Sequence, residues 1–431
     1  MSHPMSNNQD LPPITQSWVN SIPGVRVDWL ALALLGVVLL ALTERWARIP
    51  TTDLTSSGTW SIALGWSIPI LMAGLGGMFS ERSGVVNIGL EGLLVLGTWF
   101  GAWGTLYTGN VWLGMLIGAL AGAVGALLMA VATVTFGVDH IIAGTAILVM
   151  APGIARYLSG LIFPDYGGSI TQSPTLVGSS TFSVPFLAGG SVFGWRSPDF
   201  FGLMERSDLF LIAELGGILR GFFFQMSWLT LLGIAIIPIS WYLLWRTRWG
   251  LRLRSCGEDP DAADSLGVNV YLYKYYGVVM SGLLSGFGGA VLAVQLSGLY
   301  REGQTNGKGF IGLATMIFGN YRPSGTAAGS LLFGFAETLR LRDQNAPHAL
   351  LLFVTMVLIL FAFRALYRRR WKAGAGLAVA AVALGSFYVN VDRVPNQLPQ
   401  ITPFIAVLVV LLFATRRLRI PKASGQIWIK S

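Results

Sequence analysis

Glu91, Asp139 and Glu337 fall within or beside long apolar runs, and Arg156 stands at the end of another. A charge held at membrane depth is costly, and a frequent reason for keeping one is proton or ion binding along a transport path. The same carboxylates can instead accept hydrogen bonds near the ends of spans, and the residues leave both uses open. Glu91 lies in Gly76-Gly-Met-Phe-Ser-Glu-Arg-Ser-Gly-Val-Val-Asn-Ile-Gly-Leu-Glu-Gly92, a glycine-rich polar insert between two apolar runs. A second insert is Gly298-Leu-Tyr-Arg-Glu-Gly-Gln-Thr-Asn-Gly-Lys-Gly-Phe-Ile-Gly312. Polar, irregular backbone is tolerated at membrane depth only where protein buries it or a cavity runs beside it. Both inserts are therefore candidate pathway elements, with Ser83, Asn87, Glu91, Gln304 and Asn306 as the side chains on offer. Tight turns in headgroup water would carry the same residues.

The densest local pattern is Trp249-Gly-Leu-Arg-Leu-Arg-Ser-Cys-Gly-Glu-Asp-Pro-Asp-Ala-Ala-Asp-Ser-Leu-Gly267. Asp259 suits an N-cap, Pro260 the first helical position, where its missing N–H costs nothing, and Asp261 the positive end of the helix dipole. Gly267 can close the helix at C′. The resulting helix has about two turns, too few to hold in water alone. It presents Ala262, Ala263 and Leu266 on one small apolar face, which calls for a partner. A membrane surface gripped by the nearby arginines and a docked protein both fit.

Catalytic patterns are absent. Gly303-Gln-Thr-Asn-Gly-Lys-Gly309 is like a phosphate loop only superficially, because its glycine spacing is one residue short and Gly309 stands where Ser or Thr would hold magnesium. No H-E-x-x-H or G-x-S-x-G motif occurs. The lone Cys256 excludes an internal disulfide and a Cys-rich metal site. His3, His140 and His348 are too scattered for a zinc protease. The chain is expected to be no enzyme and to hold no metal or cofactor of its own.

The elements that must position these residues are apolar helices. Of 431 residues, 53% are hydrophobic and 11% charged, about half the charged share of ordinary soluble proteins. Candidate spans lie near 28–46, 60–79, 85–107, 112–136, 141–162, 228–246, 276–298, 309–320, 325–339, 349–366, 374–390 and 402–415. This predicts an all-α integral membrane protein with about 12 transmembrane helices. The net charge of +9 would suggest nucleic acid in a soluble protein, but the basic residues cluster beside apolar spans, where the positive-inside rule puts them, so no nucleic-acid partner is expected. Arg246, Arg248, Arg252, Arg254 and Lys274, then Arg364, Arg368, Arg369, Arg370 and Lys372, then Arg416, Arg417, Arg419 and Lys422 all fall inside if both termini are cytoplasmic. Arg45 and Arg48 oppose this orientation.

Residues 1–27 are polar and proline-bearing and read as a disordered cytoplasmic tail. The core is 28–348, with an exterior segment at about 164–225 and a cytoplasmic loop at 246–275. Residues 208–224 read as either an interfacial helix or a thirteenth span. Residues 391–431 carry the last span and a basic cytoplasmic tail. Five spans separate the two inserts, which therefore face opposite sides, the arithmetic of an inverted repeat. Gly114, Gly118 and Gly122 form a small-residue row for helix packing.

Phe79-Ser-Glu-Arg-Ser-Gly-Val-Val-Asn-Ile-Gly-Leu-Glu-Gly92 and Arg246-Thr-Arg-Trp-Gly-Leu-Arg-Leu-Arg254 followed by Gly257-Glu-Asp-Pro-Asp-Ala-Ala-Asp-Ser-Leu-Gly267 resemble the bacterial nucleoside and simple-sugar ABC permeases, relatives of the ribose and branched-chain amino acid permeases. Gly307-Lys-Gly-Phe-Ile-Gly-Leu-Ala, Ile317-Phe-Gly and the tail from Thr402-Pro-Phe to Lys422 extend the resemblance over most of the chain. It implies a ten-span core of two inverted halves in the bacterial plasma membrane, and import of a nucleoside or sugar. The implied partners are an ATP-binding subunit with tandem nucleotide-binding domains that holds ATP-Mg, a second permease chain and an exterior binding lipoprotein. It also makes Arg252, Arg254, Gly257, Glu258, Asp259, Pro260, Ala262, Ala263, Leu266 and Gly267 a coupling helix that contacts the ATPase. Residues 349–390 are two spans added to the family pattern. The rival expectations are an ion-coupled secondary transporter and a membrane scaffold without a path.

Overall fold

The structure, a computed structural model, describes residues 29–47, 54–192, 194–207, 209–342, 346–367, 369–391 and 419–430. The helices are α1 (Trp29–Trp46), α2 (Ser57–Arg82), α3 (Leu90–Thr108), α4 (Val111–Ala130), α5 (His140–Ile162), α6 (Phe200–Glu205), α7 (Ile212–Gly221), α8 (Trp228–Arg246), α9 (Arg248–Glu258), α10 (Pro260–Ser265), α11 (Val270–Val291), α12 (Lys308–Phe318), α13 (Pro323–Arg342), α14 (Ala346–Tyr367) and α15 (Trp371–Asn390). One-turn π segments, Val131–Thr135 and Leu292–Leu296, prolong α4 and α11. Six of the described helices are long and apolar enough to cross a membrane: α2, α4, α5, α8, α11 and α15, with the turns that extend them. The protein is thus a multi-pass, mainly helical membrane protein. The expected tail at 1–27 and span at 402–415 lie outside the described residues.

The span expected at 309–320 is corrected to a short helix. With 11 residues, α12 rises about 16 Å, half of a hydrocarbon core of about 30 Å. The first insert is also narrower than expected, because α2 stays helical through Arg82 and only 83–89 leave the helix. Gly76 serves close packing rather than a turn: a Cβ there would lie 2.6 Å from the Ser281 carbonyl oxygen. In the other direction, α11 starts earlier than the expected 276, at Val270, where the Asn269 side chain caps it by accepting from the Leu272 amide at 3.1 Å.

At the centre, α2 and α11 pack on each other and are the most enclosed spans, 83% buried along their most apolar windows. Around them the packing is reciprocal. Helix α11 takes α3 and α4 against its flanks, α2 takes α12 and α13, α3 packs on α4, and α12 packs on α13. Two trios, α2–α4 and α11–α13, so make the same contacts with each other. Small residues permit it: a Cβ on Gly122 of α4 would sit 2.2 Å from the Gly282 carbonyl oxygen and 2.7 Å from Gly286 Cα. Backbone-to-backbone approach of this kind is how helices gain dispersion contact where lipid removes the hydrophobic drive.

Two further parts close the ends of this bundle. Between α5 and α8, residues 163–227 form a cap with two small antiparallel strand pairs, Thr181–Phe182 with Met226–Ser227 and, as a hairpin, Ser191–Val192 with Trp195–Arg196. Helix α7 has ten residues and rises about 15 Å, too little for a thirteenth span. Its Arg220 reaches Asp199 at 2.7 Å and Glu205 at 2.8 Å, while Glu205 accepts from the Ser57 amide at 2.9 Å, which pins the cap to the start of α2. At the opposite end, α9 and α10 cross the termini of α2 and α11. Helices α14 and α15 pair with each other, and α14 rests on α1.

Candidate functional site

The two breaks in the helices enter from opposite ends of the bundle and meet inside it. From Arg82, residues 83–89 run inward with Val85 and Asn87 buried, and α3 then starts and runs toward the cap, with Gly97 against Gly286 and Gly101 against Ala290. From the cap side, residues 297–307 descend until α12 starts. That helix then runs the other way, Gly312 against Ala73 and the following Tyr321 beside Arg82. The starts of α3 and α12 therefore lie together at mid-depth.

Glu91 joins them. It stands in the first turn of α3, and its two oxygens accept from the Gly307 amide at 2.9 Å and the Gly309 amide at 2.6 Å. These are first-turn donors that α12 cannot satisfy itself, since its N-cap Gly307 has no side chain. One carboxylate thus lies at the positive ends of two helices, where an anion is favoured. Position 309 must be glycine, because a Cβ would stand 2.5 Å from Glu91 Cα.

Beside the carboxylate, Lys308 is buried and reaches Glu337 of α13 at 3.4 Å, with its ammonium 5.3 Å from the Trp66 ring centroid. Asn87 donates to Ser281 Oγ at 2.6 Å. Among the described residues, Asn87 Oδ1, Ser285 Oγ and both amide atoms of Gln304 are buried without a hydrogen-bond partner. Buried polar atoms rarely go unpartnered, and these cluster on the two breaks and on α11.

Toward the cap lies a cavity of about 450 Å³, lined among others by Ser61, Trp66, Gln225, Thr230, Gln295 and Thr338. Trp66 is shared between the cavity and Lys308. Gln295, in the π turn after α11, accepts from both the amide and the hydroxyl of Ser179 at 2.8 Å, tying the cap to the cavity wall. The cap also pairs with the top of the second break: the Leu176 amide donates to Gly298 at 2.7 Å and the Glu302 amide to Thr171 at 2.9 Å.

The structure brings Glu91 to the segment that carries Gln304 and Asn306, although Asn306 itself is exposed. Ser83 stays apart, buried at the far end of α2 with its hydroxyl donating to the Ser80 carbonyl at 2.7 Å. Asp139 caps α5 by accepting from the Ile141 amide at 2.8 Å. The residue pattern did not single out Lys308, which lies between the two glycines whose amides donate to Glu91, Trp66 beside Lys308, Ser281 bonded to Asn87, or Ser285 against Gly76. The i, i+4 pair of serines in a glycine-rich apolar span was the available signal.

In the loop at 246–275, the Asp259 carboxylate accepts from the Ala262 amide at 3.0 Å, Pro260 is the first residue of α10, and Gly267 has φ +79°. The expected apolar face is divided: Pro260 and Ala263 are buried against the chain, whereas Ala262 and Leu266 are exposed, Leu266 at 84%. Gly257 sits tightly on the end of α2, where a Cβ would be 2.3 Å from the Arg82 carbonyl oxygen, and Glu258 pairs with Arg82 at 3.8 Å. Arg254 donates to the Leu244 carbonyl at 2.9 Å. Cys256 is fully buried here, and burial pushes its thiol up to about 11.

A helical membrane protein in which two interrupted helices meet at mid-depth beneath a cavity of mixed apolar and hydrogen-bonding lining has the make-up of a permease. The sequence from 60 to 363 matches the family described as branched-chain amino acid transport system / permease component, and the chain belongs to that family. It is 32% identical over 372 residues to the nucleoside ABC transporter permease protein NupC of Lactococcus lactis subsp. cremoris (strain MG1363), covering 85% of this chain and 95% of that one. The guanosine ABC transporter permease protein NupQ of Bacillus subtilis (strain 168) is 36% identical over 288 residues, 65% of this chain and 81% of its own. A putative glucose ABC transporter permease, TsgC13 of Haloferax volcanii, is 30% identical over 282 residues, 65% of this chain and 76% of its own. No solved structure matches the chain significantly. The protein is thus a permease component of an ABC importer, a family distinct from the ATPase subunits.

Proposed function

We propose that this chain carries nucleosides or simple sugars across the plasma membrane, receiving them from an exterior lipoprotein and driven by a separate subunit with tandem nucleotide-binding domains that binds ATP-Mg. The observation that carries this reading is the convergence of both breaks on Glu91 beneath the cavity of about 450 Å³, which falls within the size range of small-molecule sites, about 300–1,000 Å³. The Trp66 ring offers a stacking face for a nucleobase or sugar ring, and the hydroxyls and amides around it offer hydrogen bonds. Both termini then lie in the cytoplasm, the cap faces out, and a second permease chain completes the path. The reciprocal packing of the α2–α4 and α11–α13 trios supports an inverted-repeat core. Ser83, Asn87, Glu91, Gln304 and Asn306 form the wall or the supports of the path within this reading, and α10 is the coupling helix.

ATP binding in the partner moves α10, and that motion reaches the first break through Gly257 and Glu258, which rest on Arg82. The ion-coupled alternative, which needs Glu91 or Glu337 for a proton or cation, is disfavoured because both oxygens of Glu91 are engaged by backbone amides and Glu337 pairs with Lys308. The test is copurification from the native membrane, then reconstitution and assay of uptake and ATP hydrolysis with nucleosides and sugars. Uptake that requires ATP and the loaded lipoprotein supports the reading. Uptake that follows the membrane potential and ignores ATP overturns it.

A further inference from the structure

The described C-terminal segment, residues 419–430, lies across the end of the bundle that carries α9 and α10. Its Arg419 amide donates to Asn320 Oδ1 at 2.8 Å, anchoring it at the turn after α12. The Ala423 amide donates to the Gly257 carbonyl at 2.9 Å, and the Gly425 amide donates to the Gly84 carbonyl at 3.1 Å. Gly84 and Gly425 both hold left-handed backbone, with φ +95° and +82°, conformations that side-chain-bearing residues disfavour. Further along, the Trp428 indole N–H donates to Asp261 at 2.7 Å while its ring packs 5.1 Å from the Tyr271 ring, and Lys430 pairs with Asp264 at 3.0 Å. The Lys430 amide donates to the Tyr271 hydroxyl at 3.1 Å.

Within this short stretch the segment grips the end of α9, the first break, two acidic side chains of α10 and the start of α11. We infer that residues 419–430 are a strap that ties the coupling helix to the first break, so that displacement of α10 is delivered to Gly84 through the tail as well as through α9. Trp428 and Lys430 are positioning residues in this device. The geometry gives α10 two sides. Asp261 and Asp264, three residues apart and so on one face, are held by the strap. Ala262 and Leu266 stay exposed for the ATPase subunit. The helix is too short to keep its shape by itself, and the strap holds it in register with the break that its motion has to open.

This inference rests on the importer reading, and the experiment separates the two. The complete complex, with permease, ATPase subunit and lipoprotein, is reconstituted, and solute uptake per ATP hydrolysed is measured for the unaltered chain, for Trp428→Ala combined with Lys430→Ala, and for Lys430→Arg. Loss of two hydrogen-bonded contacts at the strap is expected to lower the ratio by about five-fold or more, with basal ATP hydrolysis retained and the ratio preserved in Lys430→Arg. An unchanged ratio in the double variant overturns the strap.

If the double variant does not assemble, Asp264→Cys with Lys430→Cys is joined by a short bis-methanethiosulfonate, which forms a disulfide with each thiol and releases methanesulfinate, a reaction from which the buried Cys256 is shielded. Uptake that persists after cross-linking is expected, because strap and helix move as one. Uptake that is lost on cross-linking and returns on reductive cleavage overturns the inference. If the unaltered complex itself shows no ATP-driven uptake, the importer reading fails instead.

Discussion

The two breaks are built on different physics. Residues 83–89 are held by close backbone packing and neutral groups: Gly257 lies on Arg82, Asn87 bonds Ser281, and Gly89 lies against Gly144. Residues 297–307 end instead among charges, with Glu91 on the amides of α12 and Lys308 against Glu337. The asymmetry is one of dependence. Helix α3 brings its own carboxylate to its first turn, and α12 borrows it, so the end of the second break at α12 depends on the first, whereas the first keeps most of its contacts without the second.

The largest test of this contrast is Lys308→Met. Removing one partner of a buried ion pair costs about 3–5 kcal/mol, so the purified protein is expected to lose much of its thermal stability in detergent. Lys308→Met with Glu337→Leu is expected to recover part of it, and a double variant no better than the single one would show that Lys308 does not act through Glu337. Glu91→Ala comes next. It strands two buried amides at about 1–3 kcal/mol each, and uptake in proteoliposomes is expected to fall by roughly 100-fold, with partial recovery in Glu91→Gln, which keeps one acceptor oxygen. Equal uptake by Glu91→Ala and the unaltered protein would mean that the breaks do not depend on each other.

Gly309→Ala sharpens the comparison on a smaller scale. Overpacking of this kind costs about 1–3 kcal/mol, and its effect should be read in the melting curve and in protection of the 303–310 amides from exchange, with 83–89 little changed. Loss of protection in both segments alike would erase the asymmetry. The smallest effect is expected at Cys256, beside the first break. Burial pushes its thiol up to about 11, so the thiolate is scarce at pH 8 and alkylation by maleimide, followed by mass spectrometry, should be negligible until the protein is unfolded. Rapid labelling at pH 8 would show that α9 lifts from the end of α2.

Much of the local structure was legible in the residues. The cap at Asp259, the proline at the first position of α10, the glycine that ends it and the small-residue row on α4 all follow from short-range rules that act within one or two turns. The limits of the first insert were not legible, because glycine marks both turns and close packing; Gly76 and Gly77 are helical since α11 and α12 press on them. The bounds of α12 were legible to within two residues, 309–320 against Lys308–Phe318, but not the placing of its start inside the bundle, which depends on the distant Glu91. The strap was invisible for a similar reason. A basic tail with one tryptophan carries no periodicity, and its partners Gly84, Gly257, Asp261 and Asp264 lie more than a hundred residues away in the chain.

The sequence by itself determined that lipid is the main solvent of this chain, that its helices pack through small residues, and that two polar inserts interrupt the pattern, because hydropathy, glycine spacing and capping are written locally. Only the tertiary structure decided that the inserts converge on Glu91, that Lys308 and Glu337 pair beside it, and that the tail closes over α10. Those facts depend on bringing distant segments to within hydrogen-bond range, where the cost of an unpartnered buried amide or charge selects one arrangement, and no local pattern encodes which distant partner satisfies it.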